Sequence, residues 1–364
     1  MGRPASLSLA ALATATAVWI GCGEPVAILG DTPGLMRVVL GVADEPGRDV
    51  GASATETHIR FPSGLDMDLD GIMYVADRGN RRIVAVSSSG EVRVVVDDVA
   101  CTVDCLREPV DLTVDGTGDL IVADDQGQRV WRFDAESGAR TVLAGTGVSE
   151  TTPDGEAAAT SPIRSPRGVA VGENGRVFFA EGRSHRVRTI LADGTLSTVA
   201  GTGEAGFSGD GGPAIEATID FPGGIDIANG VLYIADAGNH RVRAVDLASG
   251  IITTVAGSGA SGFGGDGGNP LFASLSDPRD VAVTSDGVSL YIADRANQRI
   301  RVVSLASELI NTIAGSGDTE FTGSLVDAGA VGLDSPVGVS TSPFGLVLIS
   351  DTDHHIVWRM PTGF

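Results

Sequence analysis

The sequence predicts an all-β fold, a six-bladed β-propeller built from four-stranded blades. Three observations predict it. The segment Tyr74 to Ile83 (YVADRGNRRI) returns in altered form at Ile121, Phe178, Tyr233, Tyr291 and Leu348. Its acidic anchors Asp77, Asp124, Glu181, Asp236, Asp294 and Asp351 stand 47, 57, 55, 58 and 57 residues apart, the period of a repeated unit that cannot bury its apolar faces alone. Each period also holds four short β-branched runs parted by Gly, Asn and Asp turns, with no long 3.6-residue periodicity after residue 30. That is the strand pattern of a propeller blade.

The elements follow in chain order. Residues 1–22 carry Arg3 ahead of an apolar run from Ala5 to Ile20, the layout of a secretory signal and too short for a membrane span. The run ends Trp19-Ile20-Gly21-Cys22. This resembles a bacterial lipoprotein signal, in which Cys22 is lipidated and becomes the mature N-terminus; ordinary cleavage nearby and free secretion is the alternative. Residues 23–33 form a short tether, and 34–364 a single propeller domain. Leu35 to Gly41 reads as an orphan fourth strand, matching Ile252–Gly257 and Leu309–Gly315. The last repeat stops near Met360 without its own fourth strand, so the N-terminal strand is expected to complete blade six and close the ring, which removes sheet edges.

Blade four is the cleanest copy. Pro222 to Ile227 and Val231 to Ala235 flank the turn Asn229-Gly230; Arg241 to Val245 alternates polar and apolar residues, as a half-buried strand does; Ile251 to Gly257 is β-branched. The linker between blades one and two is shorter and contains Cys101 and Cys105. A C-x3-C pair is open to metal, but no Cys or His lies near it in sequence to complete a tetrahedral set. In an oxidising compartment a local disulfide is the expectation, a staple in place of the longer glycine-rich linkers.

The pattern P-x-G-(V/I)-x-(V/I), then (Y/F)-(V/I)-A-D-x-x-N-x-R-(V/I), resembles the NHL repeat and covers about residues 34–360. The linkers Ala200 to Gly203, Gly206 to Ala214 and Gly262 to Gly268 resemble a secreted bacterial subtype of it.

Composition narrows function. The chain has 364 residues, 47 acidic against 25 basic, for a net charge of −22, and every basic residue is Arg. Without Lys there is no Schiff-base chemistry. The acidity argues against nucleic acid, which needs a basic patch, and leaves room for cations or basic partners.

Several residue sets are candidate sites. Each anchor acid but the last is followed five residues later by Arg, giving Asp77/Arg82, Asp124/Arg129, Glu181/Arg186, Asp236/Arg241 and Asp294/Arg299. These are expected to be structural ion pairs at the second-to-third turn, because repetition favours scaffolding over a site. His185, His240 and His355 keep the repeat register, and Asp353-His354-His355 offers donors for Zn, although adjacent strand residues point opposite ways. In the innermost strands, Asp66 and Asp226 fall in opposite blades, as do Asp111 and Asp280. Four carboxylates around a channel suit Ca²⁺, or else bond neighbouring backbone amides. Asp210 and Asp266 in the Gly-Asp-Gly-Gly linkers either stabilise turns or bind Ca²⁺, with spacing unlike an EF-hand.

The sequence is therefore read first as a non-enzymatic, monomeric cell-envelope binding module. It is exported, attached to a membrane only through an N-terminal lipid, and recognises a protein or glycan through the face where linkers and second-to-third turns gather. The alternative is a metal-dependent propeller enzyme with an acidic channel. Propellers similar to peptide α-amidating lyases or gluconolactonases would do such chemistry, but their metal sets do not map onto these residues. A structural envelope component is the third reading.

Overall fold

The computed structural model describes residues 34–362. The segments expected to be a signal peptide and a tether, with Cys22, lie outside the described residues.

Six antiparallel sheets follow the chain. Blades one to five run 62–97, 109–144, 166–200, 222–256 and 278–314, four strands each. Blade six takes Pro336–Thr341, Leu346–Asp351 and Ile356–Pro361 from the C-terminal end, and Leu35–Leu40 as its fourth strand. Val38 pairs with Trp358, so the ring closes through the N-terminal strand. One strand was not foreseen: Leu325–Asp327, in the last linker, pairs with Leu35–Arg37 and gives this sheet a fifth member.

Packing explains why the second strands are apolar throughout. In blade four, Leu232 and Ile234 pack with Phe178 and Ala180 of blade three. The alternate residues Tyr233 and Ala235 pack with Val281 and Ile292 of blade five. Both faces of a blade are covered by neighbours, so period-2 alternation is lost where burial is complete. Each fully buried Ile or Leu contributes about 1.5–3 kcal/mol, and Ile234→Ala would open a void against blade three. The third strand corrects an expectation for the same reason. Arg241 to Val245 is not half solvated, since Arg243 is fully buried.

Glycine is required where first strands meet at the axis. A Cβ at Gly64 would collide with Asp111, and one at Gly224 with the Asp280 carboxylate. Close approach of this kind is a use only glycine serves. The second-to-third turns are single 3-10 turns, except in blades two and six, where a plain turn stands. Each linker meets its own blade's turn by a backbone bond, as from Gly79 N–H to the Arg60 carbonyl and Gly238 N–H to the Asp220 carbonyl. Linkers and these turns therefore share one face. No helix among the described residues is long and apolar enough to cross a membrane.

Candidate functional site

The anchor acids are fully or almost fully buried. Each accepts a backbone N–H from the linker that enters its blade. Asp77 takes Arg60 N–H at 2.7 Å, Glu181 takes Arg164 at 2.7 Å, Asp236 takes Asp220 at 2.7 Å and Asp351 takes Asp334 at 2.8 Å. Their cationic partners correct the expected pairing. Only Asp77–Arg82 forms as a close pair, at 2.5 Å. In blades three to five the partner stands seven residues on: Glu181–Arg188 at 3.2 Å, Asp236–Arg243 at 3.4 Å and Asp294–Arg301 at 3.3 Å. In blades two and six that place is Trp131 or Trp358, whose indole N–H reaches Asp124 at 3.2 Å and Asp351 at 2.8 Å.

Register explains the shift. The residue at +5 pairs directly across the hairpin from the anchor, at the mouth of the turn. Arg129, Arg186, Arg241 and Arg299 instead donate to linker carbonyls, those of Thr146, Thr202, Ser258 and Ser316. The residue two further on lies diagonally on the same strand face and folds back over the acid. Blade one has Val84 at that place, so Arg82 takes the acid itself.

Asp210 and Asp266 belong to this network. Asp210 accepts from Arg243 at 2.7 Å and from the Thr254 hydroxyl at 2.7 Å; Asp266 accepts from Arg301 at 2.5 Å. Asp154 does the same for Arg188 at 2.9 Å. A buried guanidinium thus bridges an anchor acid and a linker acid. Phe207 caps the pair in blade four, its ring 3.7 Å from the Arg241 guanidinium and 4.8 Å from that of Arg243. Phe263 repeats this at 3.9 and 5.0 Å over Arg299 and Arg301.

The histidines clasp blades together. His185, His240 and His355 have left-handed backbones, with φ of +49°, +53° and +61°. Each Nδ1 accepts, at 3.1 Å, the backbone N–H that precedes the next blade's first proline, from Phe221, Asp277 and Phe61. Gln128 and Gln298 do the same with side-chain oxygens, for Ser165 and Ser335 at 2.8 Å. His354 stands where Asn80, Asn239 and Asn297 stand elsewhere. It bonds Asp351 at 2.9 Å and the Thr319 carbonyl at 2.8 Å. Burial pulls its pKa down, but the Asp351 bond and charge outweigh that and hold it at about 9.

The four channel carboxylates face one another near the axis, and their oxygens are taken by amides. Asp66 accepts Met67 N–H at 2.8 Å and, from the next blade, Val114 N–H at 2.8 Å. Asp111 accepts Leu112 and Val169 at 2.9 Å each; Asp226 accepts Ile227 at 2.7 Å and Val283 at 2.8 Å; Asp280 accepts Val281 at 2.8 Å and Val339 at 2.9 Å. Burial pushes Asp226 up to about 7 against those bonds, aided by the Asp66 charge. Burial and the Asp226 charge do the same to Asp280, also to about 7. Among the described residues, no three His, Cys, Asp or Glu side chains converge in a way that would hold a metal ion. Cys101 and Cys105 form a disulfide with Cα atoms 5.7 Å apart.

Sequence reasoning missed the mouth of the channel on the linker face. A cavity of about 40 Å³ there is lined by all six blades and by Arg78, Arg167 and Arg279. The available signal was Arg after the first proline in blades three and five.

Fold and geometry define a six-bladed propeller whose blades are joined by repeated side-chain clasps. The NHL repeat model matches residues 220–244, the first two strands of blade four and most of the third. Human NHL repeat-containing protein 2 is 25% identical over 333 residues, 81% of this chain and 46% of that protein. The Arabidopsis thaliana chloroplast protein SUPPRESSOR OF QUENCHING 1 is 29% identical over 211 residues, 55% of this chain and 20% of that one. The chain thus spans less than half the length of these relatives. It carries the NHL repeat on a six-bladed propeller. Solved structures share the fold. An auxiliary nutrient binding protein from Bacteroides ovatus superposes with a TM-score of 0.65 at 17% identity, covering 89% of this chain and 76% of that one. A gluconolactonase from Xanthomonas campestris gives 0.57 at 14%, covering 92% and 99%. Streptogramin B lyase gives 0.53 at 15%, covering 83% and 93%.

Proposed function

We propose that this protein is an exported, non-enzymatic binding module that recognises a protein or glycan through its linker face. The observation that carries this is the state of the channel carboxylates. Asp66, Asp111, Asp226 and Asp280 spend their oxygens on amides of their own and the next blade, so they serve as clasps and not as an open ligand set for Ca²⁺. The linker face, by contrast, presents aromatic and guanidinium groups. Phe207 and Phe263 are 42% and 47% exposed, and each is stiffened by two arginines. Rigid aromatic planes beside charged donors suit recognition at low entropic cost. The disulfide supports export, since such bonds persist in oxidising compartments. The Bacteroides ovatus neighbour is described as nutrient binding, which supports the same reading.

The test combines elemental mass spectrometry with binding of the purified protein to a glycan array and to candidate envelope proteins. The double variant Phe207→Ala/Phe263→Ala is compared with Leu69→Ala on the opposite face. Binding lost in the double variant and kept in Leu69→Ala supports the module. Stoichiometric metal that disappears in Asp66→Asn/Asp226→Asn, together with lactone or lyase turnover, would replace it with the enzyme reading.

A further inference from the structure

The arginines at the channel mouth do more than the scaffold requires. Arg78, Arg167 and Arg279 come from blades one, three and five and ring one small cavity. Each side chain is about three-quarters buried, with 27%, 23% and 23% exposed. Their acids do not saturate them. The nearest carboxylate to Arg78, Glu108, is 3.8 Å away, beyond a hydrogen bond, and no other hydrogen bond reaches this guanidinium among the described residues. Arg167 pairs with Asp125 at 3.0 Å, yet its Nε is buried without a partner. Arg279 pairs with Asp277 at 2.9 Å. Burial lowers the Arg279 pKa; the Asp277 charge and hydrogen bond work against this, while the Arg295 and Arg167 charges lower it further, so several positive charges gather here in a chain of net charge −22.

The donors are also held in place. The Arg167 and Arg279 guanidinium groups lie 4.9 and 5.6 Å from the Phe221 ring, and Arg78 lies 5.9 Å from that of Phe61. Phe221 and Phe61 are fixed in turn by left-handed backbones at φ +50° and by the His185 and His355 clasps. Rigid forks with spare N–H groups match a planar carboxylate. The cavity, about 40 Å³, holds one such group and little else. Asp111 and Asp280 at its floor oppose an anion while charged, but burial pushes both toward the neutral form.

We propose that the mouth of the channel seats one carboxylate of an acidic ligand, gripped by Arg78, Arg167 and Arg279, and a galacturonate oligomer is the probe that reads it. The proposal rests on the binding-module reading and adds the ligand's charge and its point of attachment.

Calorimetric titration of the purified protein with trigalacturonate, a neutral galactose trimer and a sulfated galactose trimer tests it. Trigalacturonate should bind, and Arg78→Gln, Arg167→Gln and Arg279→Gln should each weaken it at least tenfold. Arg279→Lys should recover part of the loss, and Arg93→Gln, remote from the mouth, should change nothing. Melting temperatures of all variants separate lost binding from lost folding. Equal binding of acidic and neutral trimers, or unchanged affinity in the Gln variants, would overturn the carboxylate seat while leaving a glycan-binding linker face intact. Preference for the sulfated trimer would overturn the carboxylate assignment. No glycan or protein binding, with metal and turnover present, would remove the binding-module reading itself.

Discussion

Blades four and two solve one problem with different chemistry. In blade four the buried Asp236 faces the buried Arg243, which reaches on to Asp210 in a glycine-rich linker capped by Phe207. In blade two the equivalent Asp124 meets the neutral indole of Trp131 and the amides of Arg107, Glu108 and Gly127. The glycine-rich linker is gone, and a disulfide loop stands in its place. There Asp98 accepts Leu106 N–H and Arg140, which lies 6.0 Å from the Trp131 ring. The repeat thus conserves an anchored carboxylate and not a particular cation. A charge is exchangeable for an indole provided the acid keeps enough donors.

The largest expected break follows from this contrast. Asp236→Ala leaves Arg243 buried without its inner acid and should cost about 3–5 kcal/mol. Asp124→Ala strands no buried cation and should cost about 1–3 kcal/mol. Guanidinium unfolding midpoints of the two variants decide; equal losses would mean the ion relay is not what distinguishes blade four. The disulfide comes next. Cys101→Ser/Cys105→Ser opens a loop of only a few residues, for an expected loss of about 2 kcal/mol, seen as a lower melting temperature that reduction of the wild type reproduces.

The channel sharpens the comparison through pH. Asp226 titrates at about 7 in the folded protein, above its ordinary value of 3.8. The unfolded chain therefore loses this proton first, and the contribution to stability declines from about pH 4 to pH 7 and is flat above. Asp226→Asn should be less stable than wild type at pH 5 by about 1–2 kcal/mol, having one acceptor for two amides. That gap should narrow or reverse at pH 8; a constant gap would show that no buried charge was relieved. The smallest effect belongs to His354, held at about 9. Its stabilisation is full below about pH 6.5 and lost as pH rises through 9. His354→Asn installs the residue of blades one, four and five and should remove about 1 kcal/mol of decline between pH 7 and 9, roughly half of what the full shift gives once solvent screening is allowed for, read from melting temperatures across that range.

Much of this architecture was legible in the chain because a propeller repeats its instructions. The period placed the blades, and the missing fourth strand after Met360 pointed to Leu35–Leu40. The partner of the anchor acid was misplaced by two positions, since spacing alone does not tell a cross-strand neighbour from a diagonal one. The clue was Arg188, Arg243 and Arg301 recurring where Trp131 and Trp358 also stand. The histidine clasps were hidden for a similar reason. Gln128 and Gln298 in the same register share with His an acceptor, and the amide they serve belongs to another blade. The roles of Asp66 and Asp226 likewise depend on inter-blade register, which no single repeat encodes. The Arg78, Arg167 and Arg279 ring is a property of the closed circle, assembled from residues up to about two hundred positions apart.

The pairing of Val38 with Trp358 sets the order in which this molecule is finished. The strand made first has as its partner one made about three hundred residues later. At typical elongation rates that interval is on the order of half a minute. Throughout it, Leu35–Leu40 is an orphan edge with Met36 and Leu40 unburied, and five blades have neighbours to stack on while the sixth does not. Closure is therefore the last, most non-local event of folding, and slow for that reason. A chaperone that shields this one segment during synthesis would protect the whole ring.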